Sequence, residues 1–276
     1  MKLVRKKIEK RWMYLNLDDG GISRRLWLKG KREQCFNYLM RKQTGNVALD
    51  CGANLGHNSI WLVDKFAQVF SFEPDPRSAM LLDKNLSDNT KVTISRMALS
   101  DNVGKVKFCL SKKPNMSAIG RTDGKFITVP TTTVDKYFGG AELNFIKADL
   151  EGGEVGLLNG ARETIEKWHP TILLEVHPGD YSETNNFREI LLGLAAIGYR
   201  IPYVISAKIH KDKFKVPTLF KEHGYEPYKT FKGEKRAIFK IKTEHAIDWC
   251  SREIPDGTSK KIIRAIMLEY KGGPNG

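Results

Sequence analysis

A mainly parallel α/β sheet with helices on both faces is the fold class that the sequence predicts, on three observations. From Asn46 onward, short apolar strand patterns alternate with helical ones. The first of these strands runs into a glycine loop, Asp50-Cys51-Gly52-Ala53-Asn54-Leu55-Gly56, that opens a helix. An acidic residue, Glu73, closes the second strand 23 residues after Asp50. Open α/β sheets hold nucleotide-like ligands in this layout, beyond the carboxyl ends of their strands.

The elements follow in order. Residues 1–45 read as an N-terminal extension, with "RWMYLNL" a strand, "DDGG" a turn and "EQCFNYLMRKQ" a helix. Residues 46–245 read as the main domain. There "NVALD" is a strand, "NSIWLVDKF" a helix, "AQVFSFEP" a strand, "RSAMLLDKNLSDN" a helix and "KVTISRMALS" a strand; "KVKFCLS" is a further strand. Residues 111–126, "SKKPNMSAIGRTDGKF", are polar and turn-rich and suggest a long loop over a site. Then "LNFIKADL" is a strand, "EVGLLNGARETIEKW" one helix, "TILLEVH" a strand, "FREILLGLAAIG" a helix and "YRIPYVI" a strand. "GEKRAIFKIK" could add one more strand, antiparallel to the rest. Residues 246–276, with the amphipathic "KKIIRAIMLEY", read as a basic helical tail.

Composition narrows the class. With 41% hydrophobic and 28% charged residues among 276, the chain has an ordinary globular make-up. No apolar run approaches the roughly 18 residues of a membrane-spanning helix. The basic N-terminus lacks the apolar stretch of a signal peptide, so a cytoplasmic protein is expected. The four cysteines show no C-x-x-C spacing, which argues against a zinc knuckle or a disulfide framework, and Cys51 reads as a small filler of the loop. A net charge of +14 raises the question of a polyanionic partner, RNA among them, though no RNA-binding motif accompanies it.

The loop discriminates between ligands. Dinucleotide sites use G-x-G-x-x-G, whereas this chain has G-x-x-x-G. Asp50 at the strand end would repel a pyrophosphate but suits a ligand carrying positive charge. S-adenosylmethionine, with its sulfonium and ammonium, fits better than NAD. Glu73 is an acceptor suited to ribose hydroxyls, with Pro74 following it. Met97, Ala98 and Leu99, at the end of the third strand, are expected beside the adenine, with Asp101 turned toward the base. His57, at the start of the first helix, is either a contact to the methionine moiety or an ordinary helix position.

"LDCGANLGHNSI", "FEPDP", "LLDKNLSDN" and "FIKADLEGGEVGLLNGA" together resemble the FkbM family of S-adenosylmethionine-dependent methyltransferases over residues 46–178. "NLDDGGISRRLWLKGKRE" resembles a lead-in seen in some members. The resemblance implies a Rossmann-like methyltransferase fold with a seven-stranded sheet and, usually, O-methylation. It carries Asp50, Gly52, Asn54, Gly56 and Glu73 over as cofactor contacts; Ala53, Pro74, Ala98 and Leu99 complete the expected set. Cys51 stands where valine or isoleucine is frequent. After Pro178 the resemblance fades, and substrate recognition cannot be carried over.

The chemistry is expected on the next two strands. Lys147 and Asp149 share one face by alternation, as do Glu175 and His177. If the strands are neighbours, these four groups converge at the carboxyl edge of the sheet. A hydroxyl acceptor must lose its proton near the transition state of methyl transfer, and Asp149 or His177 could take it. Lys147 could lower the acceptor's pKa or orient Asp149. Glu175 could fix the tautomer of His177 or bind substrate. Glu151 and Glu154 read as partners of a helix N-terminus. Asp149, Glu151, Glu175 and His177 are residue types that can hold a hard divalent cation, but residue type alone is the argument and no metal is expected. The function expected is methylation of a hydroxyl on a sugar, glycan or small metabolite. One alternative is RNA ribose 2′-O-methylation, which needs a lysine–aspartate–lysine–glutamate arrangement whose second lysine is not identifiable. Another is a non-catalytic basic binding module on the same fold.

Overall fold

The computed structural model describes residues 1–9, 11–30, 33–177, 187–206, 218–232, 234–250 and 263–272. The chain begins with a hairpin of β1 (Leu3–Ile8) and β2 (Arg11–Asn16), followed by α1 (Ile22–Lys29) and α2 (Gln34–Met40). The alternating part opens with β3 (Gly45–Cys51), α3 (Ser59–Leu62), β4 (Phe66–Phe72), α4 (Pro76–Leu86) and β5 (Val92–Ser95). A small second sheet follows: β6 (Ala98–Leu99), β7 (Gly104–Leu110), β8 (Ala118–Ile119) and β9 (Lys125–Thr132). Then come α5 (Val134–Phe138), β10 (Phe145–Ala148), α6 (Glu154–Asn159), α7 (Arg162–Trp168) and β11 (Thr171–Glu175). The described part closes with α8 (Phe187–Ala196), β12 (Tyr199–Ser206), α9 (Thr218–Glu222), β13 (Pro227–Lys229), β14 (Ile238–Phe239), α10 (Thr243–Cys250) and β15 (Ile263–Tyr270).

The main sheet has 9 strands in the order β13-β14-β12-β15-β11-β10-β3-β4-β5. From β11 to β5 all neighbours are parallel, and β15 lies antiparallel between β11 and β12. The expected α/β fold with a mainly parallel core is therefore present. Seven strands run from β5 to β12, and β14 and β13 extend the β12 edge. Strand order reverses between β3 and β10, since the chain moves outward to β5 from one and to β11 from the other. That reversal leaves a crevice at their carboxyl ends, where ligands bind in open α/β sheets.

Several expectations are corrected. The "IRAIMLEY" run is not part of a helical tail but β15, in the interior of the sheet. Its burial explains the misreading: Ile263, Ala265, Ile266, Met267 and Leu268 are all buried, and a strand covered on both faces is a continuous apolar run without period-2 alternation. The boundary at 245/246 also cuts through α10, so no separate tail begins there. The basic runs at 211–215 and 259–261 lie outside the described residues. "KVTISRMALS" is two strands in two sheets, and β9, broken up in sequence by Pro130, was not expected at all. The helix expected over 154–168 is split into α6 and α7. Asp135 caps the second, accepting from the backbone N–H groups of Glu163 at 3.1 Å and Thr164 at 2.8 Å. No described helix is long and apolar enough to cross a membrane.

Ile266→Ala should lower the unfolding free energy by about 2–5 kcal/mol in urea denaturation, as for other buried aliphatic truncations. A residue on a docked surface tail would cost only about 0.5 kcal/mol.

Candidate functional site

The glycine loop is shaped by close backbone approach. Gly52 and Gly56 have φ of 73° and 86°, in the region open to glycine. A Cβ on Gly52 would lie 2.1 Å from the Asp149 carbonyl, and one on Gly56 would lie 2.7 Å from Leu86 Cδ1. Asn54 also takes a left-handed φ, 53°, which Asn tolerates better than other side chains. Its Nδ2 donates to Ser78 Oγ at 3.2 Å. The backbone N–H groups of Gly52 and Ala53 donate to the Phe72 carbonyl at 3.0 and 2.9 Å, tying the loop to the end of β4. One residue on, Glu73 accepts from the N–H of Asn54 and of Asp75, each at 2.8 Å. Burial pushes the Glu73 carboxyl up to about 8, partly opposed by those two hydrogen bonds.

Asp50 is not turned toward the loop's open side. β3 and β10 are in register with Asp50 beside Lys147, and Lys147 Nζ sits 3.1 Å from Asp50 Oδ1. Ser59 Oγ donates to Asp50 Oδ2 at 2.6 Å, and Ser71 Oγ donates to Ser59 Oγ at 3.0 Å. Lys147 also donates to the carbonyls of Gly52 at 3.1 Å and Cys51 at 3.4 Å. Burial works against its charge, but the neighbouring carboxylates of Asp50 and Asp149 outweigh it and hold Lys147 above the ordinary lysine range. The reasoning from Asp50's charge is corrected accordingly: that charge is neutralised inside the protein. Lys147 is the residue that neutralises it, not a free group over an acceptor. Cys51, fully buried, has its thiol pushed well up by burial, as befits a filler.

A narrow pocket lies over this floor. Gly52, Asn54, Glu73, Pro74, Ala98, Leu99, Lys147 and Asp149 line it, together with Met97, His57 and Glu151. Asp50, Ala53 and Gly56 do not; they shape the loop from behind. Asp101 lines a wider neighbouring groove of about 1010 Å³ instead of turning toward this pocket. The 111–126 segment supplies Pro114, Asn115, Ser117 and Ile119 to the pocket wall. It is fastened by Ser117 Oγ, which donates to Asp75 Oδ2 at 2.8 Å.

Beside the pocket sits a second polar cluster. His177 Nδ1 lies 2.9 Å from Glu154 Oε1, and its Nε2 lies 3.0 Å from Glu175 Oε1. Glu154, expected at a helix N-terminus, accepts from the N–H of Leu150 at 2.9 Å and of Gly152 at 3.0 Å as well. A carboxylate only accepts, so Nδ1 carries a proton toward Glu154. Glu175 is fully buried and ion-paired with Arg264. Held there, it does not reach an acceptor. Sequence reasoning missed Arg264, because it lies on the strand mistaken for a helix. It also missed Ser59 and Ser71, whose role depends on which strand faces which.

The chain matches the methyltransferase FkbM domain over residues 50–201, more than half its length. The chain belongs to the FkbM methyltransferase family. The family match spans the glycine loop, Glu73, Lys147, Asp149 and His177; Arg264 and the N-terminal hairpin lie outside it. This FkbM-family chain is 30% identical over 146 residues to the 2-O-methyltransferase NoeI of Sinorhizobium fredii, covering 44% of the chain and 59% of that relative. It is also similar to the crystal structure of methyltransferase FkbM from Methylobacillus flagellatus KT, at 18% identity and a TM-score of 0.43, covering 72% of this chain and 44% of that one. Another solved relative is M. jannaschii TYW2 in complex with AdoMet, at 13% identity and a TM-score of 0.44, covering 98% and 87% of the two chains.

Removing one partner of the Asp50–Lys147 pair should strand a buried charge. Lys147→Met alone is expected to cost about 3–5 kcal/mol of stability, and adding Asp50→Asn should restore part of it. Urea denaturation of the two single variants and the double variant measures this. Additive losses would mean that the two side chains do not interact.

Proposed function

We propose that this protein is an S-adenosylmethionine-dependent O-methyltransferase acting on a hydroxyl of a sugar, glycan or small metabolite. The observation that carries the reading is one pocket formed jointly by the left-handed glycine loop, Glu73 and Asp149. The residues fit the cofactor. Gly52, with its positive φ and the Asp149 carbonyl against its Cα, lets the loop bend closely along the pocket floor, which a side chain there would displace. Glu73 offers carboxyl oxygens to a ribose, and Ala98 and Leu99 offer apolar surface to a base. When bound, S-adenosylmethionine supplies a methyl group on sulfonium, open to in-line attack by an oxygen.

The chain's own residues then orient the acceptor and receive its proton. Asp149 lines the pocket and keeps 17% of its side chain exposed, whereas His177 keeps 2%. Of Asp149 and His177, Asp149 is thus the one within reach of an acceptor hydroxyl, and it is the proposed general base. His177, held by Glu154 at 2.9 Å, lies 3.9 Å from it. The name of the curated relative, a 2-O-methyltransferase, supports oxygen as the acceptor atom. The RNA alternative finds less support, since Lys147 is committed to Asp50 and two carbonyls.

Calorimetric titration with S-adenosylhomocysteine tests the reading. The native chain should bind it and not NAD. Gly52→Ala should weaken binding at least tenfold, about 1.4 kcal/mol. Asp149→Asn should keep binding but lower turnover of a methylated acceptor by about 10²–10⁴-fold. Absent binding to the native chain would return the protein to the reading of a binding module.

Glu73 adds a proton-linked signature. Its folded-state pKa is raised to about 8, so the folded chain holds a proton that the unfolded chain has lost between the ordinary carboxylate range and pH 8. The stability this contributes is complete below that range and is lost as pH rises through about 8. Ribose hydroxyls donating to Glu73 favour its ionised form. Binding of S-adenosylhomocysteine at pH 7 should therefore release protons. The release is read from titrations in buffers of different ionisation enthalpy and should vanish in Glu73→Gln.

A further inference from the structure

We infer that Asp149, Glu151 and His177 form a site for one divalent cation at the wall of the same pocket. Its placement beside the methyl donor rests on the cofactor reading; the ion binding itself does not.

One ligand atom from each of the three residues lies within 4.8 Å of the other two. His177 Nε2 is 3.6 Å from Glu151 Oε2 and 3.9 Å from Asp149 Oδ1. Both separations exceed hydrogen-bond length. They match the spacing of two atoms that each sit about 2.1 Å from a shared ion. The imidazole is prepared for this role. Glu154 takes the Nδ1 proton, which leaves Nε2 facing the carboxylates. A carboxylate on the far ring nitrogen is the usual support of a metal-bound histidine.

Charge points the same way. Among the described residues, the carboxylates of Asp149, Glu151, Glu154 and Glu175 meet around His177, with Arg264 on Glu175 and Lys147 ion-paired to Asp50 and in the field of Asp149. The two carboxylates proposed as ligands are also the two that solvent reaches: Asp149 and Glu151 are 17% and 19% exposed, against 0% for Glu154 and Glu175. One imidazole nitrogen with two carboxylate oxygens suits Mn²⁺ or another first-row dication better than a thiophilic ion. Because Asp149 and Glu151 line the pocket, such an ion would hold neighbouring oxygens of a polyhydroxyl acceptor there. The competing arrangement is a doubly protonated His177 bridging Glu154 and Glu175, with no ion.

Mn²⁺ binding decides between them. The full chain, freed of metal with a chelator, is titrated with Mn²⁺ and followed by electron paramagnetic resonance, with and without S-adenosylhomocysteine. One bound Mn²⁺ per chain is expected, with affinity at least tenfold weaker in Glu151→Gln and in Asp149→Asn and unchanged in the exposed control Asp88→Asn. Circular dichroism establishes that each variant is folded. Glu151→Gln, at a partly exposed position, keeps the test usable if Asp149→Asn is unstable. A free-ion Mn²⁺ spectrum with the native chain in excess would overturn the site, as would a bound signal that both variants preserve. Mn²⁺ bound without S-adenosylhomocysteine binding supports the ion site while removing the cofactor reading. The converse removes the ion site and leaves the cofactor reading standing.

Discussion

The ion pair between Asp50 and Lys147 is the constraint on which the site depends. It joins the penultimate residues of β3 and β10, the two strands between which sheet order reverses. A buried pair repays its desolvation only with good geometry and further hydrogen bonds. Here Ser59 supplies one side, and the carbonyls of Cys51 and Gly52 supply the other. The lysine therefore does two things at once. It neutralises Asp50, and it pins the carbonyls of the glycine loop beneath the pocket, so that the loop's position is set by the sheet itself.

Asp149 connects this neutral floor to the acidic wall. Its N–H donates to the Cys51 carbonyl at 3.1 Å, and its own carbonyl occupies the space that a Cβ on Gly52 would need. The backbone of Asp149 is thus locked to the loop while its carboxylate extends toward His177. The same residue fixes the distance between the place of a bound cofactor and the group proposed to receive a proton. A looser connection would cost rate, because proximity and alignment supply much of the barrier reduction in such transfers.

How much of this is legible in the sequence follows from the range of each interaction. The glycine loop and Glu73 are local: a strand, a turn needing positive φ and an acid at the next strand end are readable from spacing. So is the shared face of Lys147 and Asp149, which needs only alternation. The partner of Lys147 is not readable. Pairing it with Asp50 requires the neighbour relation and register of β3 and β10, strands separated by most of the domain, and a one-residue slip would point every side chain the other way. Arg264 was hidden for a different reason. "IRAIMLEY" lacks a period that separates a buried strand from a helix face, so its position between β11 and β12 emerges only when the sheet is assembled. Pro130 likewise hid β9.

The net charge of +14 is a property of the whole chain, not of the pocket. Lys42 stacks over Tyr38, and Lys240 over Tyr228, at 4.5 and 4.4 Å. Lys42 precedes β3, at the amino end of the parallel strands, whereas the pocket lies at their carboxyl end. At the pocket the sign reverses: Asp149 and Glu151 are its partly exposed charges, and Lys147 is already paired. The composition-level argument for RNA therefore does not by itself reach the pocket, because overall charge sets what a protein attracts and local charge sets what its site can hold.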